Sequence, residues 1–243
     1  MVNVIQKKEE KMGKFLRFIG ILFMSLTAAF TLMGGAGTTC VALAAEKYDS
    51  MISIAPYKWL YVLFVLVTLA IGVIGVRSVI MLIKGRPTAY RDTLITLVAG
   101  IVVGGIHMAV SRALRGSSMP VDMVVYTTVL TLIIFLLFRL PGVWEKVNWQ
   151  RINKSESNKT GGAAMISVGV ACLIIQVLMA PTHTFGGINY GDAFHATLTL
   201  AGWVLIGSGV VRLAVAYGLT HVLSQMGAWL QVMLRSRLTS HRS

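Results

Sequence analysis

Six apolar runs recur along the chain, each close to the length of about 20 residues that crosses a bilayer core as a helix. The runs show no alternation of polar and apolar positions, which argues against a β-barrel. Backbone polar groups find no water in lipid, so such runs must be helical. The pattern predicts an all-α, polytopic integral membrane protein with six transmembrane helices, at about residues 15–33, 59–82, 93–114, 121–138, 163–180 and 193–217.

Composition supports this fold class. The chain of 243 residues is 56% hydrophobic and 13% charged, whereas soluble domains carry about 25% charged residues. The net charge of +13 would by itself suggest nucleic acid. However, the Lys and Arg residues lie in short clusters between the apolar runs, a distribution that orients membrane helices. We therefore expect the lipid bilayer, and no nucleic acid, as a partner.

The basic residues also predict an orientation. With the N-terminus inside, 18 of the 22 Lys and Arg residues fall on the inner side. The four others are Lys47, Lys58, Arg112 and Arg115. Because cytoplasmic loops carry the excess of basic residues, both termini are predicted to be cytoplasmic. The compact design and the short loops favour the inner membrane of a prokaryotic cell.

A polar stretch in the second half of the chain separates the first four predicted spans from the last two. Residues 1–140 hold the basic N-terminus and four spans, 141–162 form a polar cytoplasmic linker, and 163–218 hold two further spans. The linker contains a Ser-, Asn- and Gly-rich segment typical of a flexible loop. Residues 219–243 form an amphipathic helix at the cytoplasmic face and a basic tail.

The first run has a second interpretation. A basic start, an apolar run and the small residues at 42–45 resemble a signal peptide with its cleavage site. The run is longer than the 7–15 apolar residues of signal peptides, so a retained span is the favoured prediction. Cleavage would leave five spans.

Small and aromatic residues suggest packing positions. Gly100 and Gly104, followed by Gly105, form a GxxxG strip where another helix approaches closely, inside the chain or on a partner. Expected anchors at the membrane interface are Trp59, Trp229, Arg235 and Arg237.

Three histidines carry the most informative chemistry. His107 lies inside the third run, and His183, Asp192 and His195 belong to an outer loop without Lys or Arg. His and carboxylate ligands suit zinc or copper, and two His from different helices suit a haem iron. The alternatives are a packing role for His107 and a helix-capping role for Asp192.

The functional predictions are ordered by these observations. The first is a non-catalytic subunit or assembly component of a larger membrane complex, bound to other membrane subunits or to itself. The second is a small-solute transporter or channel that uses mid-membrane polar groups: Thr127, Thr128, Thr131, Gln176 and Ser208. The third is an outward-facing redox, metal or haem protein that uses the histidines.

Overall fold

A computed structural model describes residues 2–179, 184–185 and 187–219. In these residues the chain is almost wholly α-helical, as the apolar runs predicted. The α-helices are α1 (Val2–Ala44), α2 (Lys58–Ile83), α3 (Ala89–Arg115), α4 (Val121–Leu137), α5 (Trp144–Val147), α6 (Lys154–Met179), α7 (Tyr190–Ala193) and α8 (His195–Ala216). Short 3-10 segments cover Ala45–Lys47, Asp49–Tyr57 and Trp149–Arg151. The predicted C-terminal amphipathic helix, with Trp229, Arg235 and Arg237, lies outside the described residues, as does His183.

Five of the described helical segments are long and apolar enough to cross a membrane: Gln6–Lys47, Met51–Ile83, Ala89–Arg115, Lys154–Val177 and His195–Ala216. These segments include five of the six predicted spans. The remaining apolar helix, α4, is shorter, with 17 residues. The chain is thus an all-α protein of the membrane-embedded type.

Helices α1 to α4 form a four-helix bundle in which α1 packs on α2 and α4, and α3 packs on the same two neighbours. Helices α1 and α4 run antiparallel. The hydroxyls of Thr27 and Thr131 share a hydrogen bond at 2.7 Å, and Gly34 lies against Val124. We call the two ends of the bundle the Arg17 end and the His107 end, after residues described below.

An aromatic core fills the Arg17 end. Phe135 stacks on Trp149 with parallel rings whose centroids are 5.7 Å apart. The Tyr90 hydroxyl donates a hydrogen bond of 2.7 Å to the Phe135 carbonyl, which connects α3 to α4. Ile21 of α1 and Leu82 of α2 are fully buried in the same cluster. This end of the bundle is therefore closely packed.

A buried ion pair joins α1 to α6 at this end. The Arg17 guanidinium binds both carboxylate oxygens of Glu156, at 2.5 and 2.9 Å. A third hydrogen bond, of 2.6 Å, runs from Arg17 to the Val147 carbonyl. Arg17 and Glu156 are 3% and 6% exposed. The bidentate geometry pairs the two buried charges with each other.

Helix α6 begins at Lys154 and not near residue 163, so part of the predicted flexible linker is helical. Two local interactions explain the early start. The Asn153 side chain accepts a hydrogen bond of 2.8 Å from the Glu156 backbone N–H, as a helix N-cap does. The Glu156 side chain is then held by Arg17.

Helix α8 packs on α6 through glycines. A Cβ atom added to Gly162 would lie 2.7 Å from the Gly209 carbonyl oxygen, and one added to Gly169 would lie 2.7 Å from that of Gly202. In each helix the two glycines are seven residues apart, so they lie on the same helix face. The two backbones approach as closely as glycine permits.

Candidate functional site

The centre of the four-helix bundle contains a cavity in its His107 half. The volume of the cavity is about 30 Å³, room for a few water molecules. The polar residues that line it are Thr31, Thr38, Thr68, His107 and Thr128, and they come from all four helices. The rest of the wall is formed by aliphatic side chains, glycines and Pro120.

Close helix contacts frame this cavity. A Cβ atom on Gly104 would lie 2.7 Å from Val125 Cγ2, and one on Gly100 would lie 3.4 Å from Thr128 Cγ2. Both glycines of the predicted GxxxG strip therefore pack on α4, inside the chain. Gly105 differs, since an added Cβ atom would meet nothing within 4 Å.

His107 is held in the wall by aromatic rings. Its imidazole stacks on Phe64, with centroids 4.4 Å apart and an angle of 13° between the rings. It also meets the edge of Tyr61 at 5.3 Å. The residue is 5% exposed, and its ring nitrogens have no hydrogen-bond partner within the described part of the chain. The Tyr61 hydroxyl is instead hydrogen-bonded to Ser111 at 2.8 Å.

Most threonine hydroxyls of the wall already donate their proton in a hydrogen bond. The hydroxyls of Thr31 and Thr128 donate to the carbonyls of Thr27 and Val124, at 2.8 and 2.6 Å. Thr38 donates to Gly34 at 2.9 Å. Since a hydroxyl has one donor and two acceptor positions, these oxygens still offer acceptor capacity.

A smaller cavity, of about 10 Å³, continues toward the Arg17 end. It shares Thr31 and Thr128 with the first and adds Thr27, Thr96 and Leu97. Beyond it lies the filled aromatic core. The bundle therefore has a partly polar centre that is closed at one end.

A polar network surrounds Arg112 near the end of α3. Its guanidinium donates to Ser118 Oγ at 2.8 Å and lies 3.5 Å from Asp122 Oδ2. Ser118 in turn donates to Asp122 at 2.9 Å. Arg115 donates to the Met119 carbonyl at 2.5 Å. Both basic residues in the last turn of α3 therefore have partners inside the chain.

The remaining sequence candidates lie apart from the bundle cavity. Asp192 is exposed in α7, and His195 is exposed at the first position of α8, which packs on α6. Asp192 does not cap α8, because Phe194 occupies the N-cap position. Across residues 2–179, 184–185 and 187–219, no group of three or more His, Cys, Asp or Glu side chains is placed to hold a metal ion.

The predicted mid-membrane polar groups divide into three kinds. Thr128 and Thr131 are buried in the bundle, whereas Thr127 is half-buried and does not line the cavity. Gln176 connects α6 to α8 through a hydrogen bond of 3.3 Å from Thr199. Thr31, Thr38 and Thr68 also line the cavity and were not among the residues predicted from the sequence. Their signal was available in part, because Thr27, Thr31 and Thr38 recur on one face of a helix.

Comparison with known proteins adds no family to the class of protein that the fold defines. No protein-family model, no curated protein and no solved structure matches the chain. The fold and site define a helical, membrane-embedded protein with a central polar cavity.

Proposed function

We propose that the chain crosses the cell membrane six times, with both termini in the cytoplasm. The sixth crossing is α4, whose 17 residues make a helix about 25 Å long, against a hydrocarbon core of about 30 Å. Its antiparallel packing beside α1, from Val124 near Gly34 to Phe138 near Gly20, supports this assignment.

Two contacts support the orientation. The Arg17–Glu156 pair and the Lys146–Glu9 pair, at 3.7 Å, bring the basic N-terminal segment and the 139–159 segment to the same end of the molecule. Basic residues gathered at one end favour that end as the cytoplasmic one.

Retention of the first span is part of the same proposal. Helix α1 is a neighbour of α2, α4 and α6. The small residues at the suspected cleavage site are not free, because Ala42 and Ala45 are buried beside Ile54 and Tyr61. Removal of α1 would leave three helices without their common packing surface.

For function, we propose a non-catalytic component of a larger membrane complex, attached through α8. The observation that carries this proposal is Gly207. It lies in the middle of α8, and an added Cβ atom would meet nothing within 4 Å. Glycine costs a helix about 1 kcal/mol relative to alanine. Lipid chains do not require such a gap, whereas the close approach of another helix does.

The surroundings of Gly207 fit this interpretation. Helix α8 has α6 as its main neighbour, and Val204, Val211 and Trp203 are exposed on either side of the glycine. These residues form an exposed apolar surface with a glycine at its centre. Such a surface fits a transmembrane helix of a second subunit or of a second copy of this chain.

The Gly207→Leu variant tests this proposal. Native electrophoresis of gently solubilised membranes should show the wild-type chain in a complex larger than the monomer, and the variant should lose that complex. The monomer itself accommodates the new side chain, because the space around Gly207 is open. The Gly105→Leu variant makes the same change at an open glycine on α3, and loss of the complex in that variant alone would place the contact on α3 and contradict the assignment to α8. A wild-type chain that migrates as a monomer would refute the proposal.

A small-solute transporter or channel is the second candidate, and the cavity is the observation that favours it. Polar groups line the bundle centre, while the Arg17 end is closed by the aromatic core, so passage would require that end to open. Reconstituted vesicles should then take up small neutral solutes faster than protein-free vesicles. The Thr128→Phe variant, which fills the cavity, should abolish the difference, and equal uptake with and without protein would exclude this candidate.

A further inference from the structure

We infer that the cavity lined by α1, α2, α3 and α4 is a binding site for a small neutral molecule that carries a hydroxyl group. His107 recognises this hydroxyl group. This site is independent of the proposed docking surface on α8, which lies on another part of the molecule.

The environment of the His107 side chain is the first reason for this inference. The imidazole is nine-tenths or more buried, it stacks on Phe64 and lies perpendicular to Tyr61, and it lines the cavity. Within the described residues nothing hydrogen-bonds to either ring nitrogen. Both ring nitrogens are therefore free to pair with a molecule in the cavity, and such a hydrogen bond is favourable in a site of this kind.

The second argument is the charge of the wall. None of the described residues that line the cavity is Lys, Arg, Asp or Glu. Transfer of an unpaired ion into such an apolar site is strongly unfavourable. The ligand is therefore neutral, which excludes carboxylates, phosphates and ammonium ions.

The third argument is the hydrogen-bonding pattern. The hydroxyls of Thr31, Thr38 and Thr128 already donate to carbonyls of their own helices, so they offer oxygen lone pairs to the cavity. A neutral imidazole has one donor and one acceptor nitrogen. A hydroxyl group, which can both donate and accept, matches this set.

Size and shape limit the ligand further. The volume of about 30 Å³ admits only two or three heavy atoms without movement of the wall. Ile71, Val103 and Val124 form an apolar surface around the polar groups. A short-chain alcohol or the hydroxyl end of a lipid fits this description, and both have the same chemistry.

The experiment uses the full chain, labelled with ¹⁵N-histidine, in phosphatidylcholine nanodiscs. Ethanol is the probe and propane, which has the same number of heavy atoms but no hydroxyl, is its control. The His107→Phe variant assigns the His107 signal. Ethanol should shift that signal saturably, whereas propane should leave it unchanged.

Isosteric variants localise the site. Thr68→Val and Thr38→Val, in the wall, should raise the ethanol dissociation constant by about two- to tenfold, the loss expected for one hydrogen bond. Thr127→Val is the matched control, because Thr127 precedes Thr128 on the same helix but does not line the cavity, and it should leave the constant unchanged. Equal constants in all three variants would refute the site.

A second nanodisc composition separates the two sources of the hydroxyl. In phosphatidylglycerol, whose headgroup carries hydroxyls, a His107 signal already shifted without ethanol would identify the lipid as the ligand. A shift by ethanol in phosphatidylcholine alone would identify a free small molecule. No shift in either membrane would mean that the cavity holds only water, and the inference would be wrong.

Discussion

At the scale of single residues, the most consequential feature is the ion pair between Arg17 and Glu156. The two residues are 139 positions apart in the chain, and their side chains are almost fully buried. Paired charges in such a site need not add to stability relative to apolar residues, but an unpaired one is strongly unfavourable. The pair therefore determines how α6 is positioned against α1.

The Glu156→Gln variant should lower the free energy of unfolding by about 3–5 kcal/mol, because it leaves the Arg17 charge buried without its counterion. The double variant Arg17→Met, Glu156→Leu should recover much of this loss. Thermal unfolding of the purified protein measures both.

The exposed pair Glu46–Lys58, with an N–O distance of 2.5 Å, provides the control. Glu46→Gln should have a much smaller effect, since solvent screens an exposed pair. Equal losses for Glu156→Gln and Glu46→Gln would contradict the structural role assigned to Arg17.

Within the candidate site, the identity of a key residue could be predicted from the sequence, but its contacts could not. His107 was recognisable from the sequence, because an ionisable residue inside an apolar run is unusual. Its stacking on Phe64 was not, since the two residues lie on different helices whose rotation the sequence pattern leaves open. The predicted grouping with His195 and Asp192 remains a prediction; the described part of the site joins His107 to threonines instead.

At the scale of elements, glycine positions distinguish two kinds of helix surface. Gly162, Gly169, Gly202 and Gly209 form the contact between α6 and α8, whereas Gly207 on the same helix α8 faces open space. Glycines of one apolar run thus lie in different environments, either in a helix contact or facing open space. Only the packing of the helices decides which glycine can be replaced.

Paired alanine variants test this distinction. Gly169→Ala should lower the melting temperature of the purified chain, because the new methyl group would lie 2.7 Å from a backbone oxygen that cannot move alone; overpacking typically costs 1–3 kcal/mol. Gly207→Ala should leave the melting temperature unchanged or raise it, because alanine favours the helix and meets no neighbour. Similar effects of the two variants would show that this contact is wrong.

Helix α1 shows where element boundaries depend on packing. A helix end was expected near residue 33, where Gly34, Gly35 and Gly37 reduce the helix propensity. The helix continues to Ala44, because these small residues permit close contact: Gly34 lies against Val124, and Gly35 against Leu69. At this position the glycines therefore permit close helix packing and do not unwind α1.

At the scale of the whole molecule, the proposed orientation is tested by cysteine labelling. Ser155 and Met119 are exposed at the Arg17 end and the His107 end. In a background without Cys40 and Cys172, a membrane-impermeant maleimide should label the Met119→Cys variant in intact spheroplasts. It should label the Ser155→Cys variant only after permeabilisation, because the Arg17 end carries the basic segments. The reverse pattern would invert the proposed topology.

The sequence by itself determined the fold class and the approximate positions of the long helices. The physical reason is that helix formation in lipid depends on local properties: a run of apolar residues of sufficient length and the need to satisfy backbone polar groups. Five segments of spanning length follow from these properties alone.

Only the tertiary structure decided which residues meet. The bundle of α1 to α4, the cavity at its centre, the Arg17–Glu156 pair and the early start of α6 all depend on contacts between distant segments. Such contacts are set by the rotation and separation of whole helices, and small residues such as Gly104 and Gly169 permit the close separations. A pattern of apolar and polar positions along the chain does not contain that information.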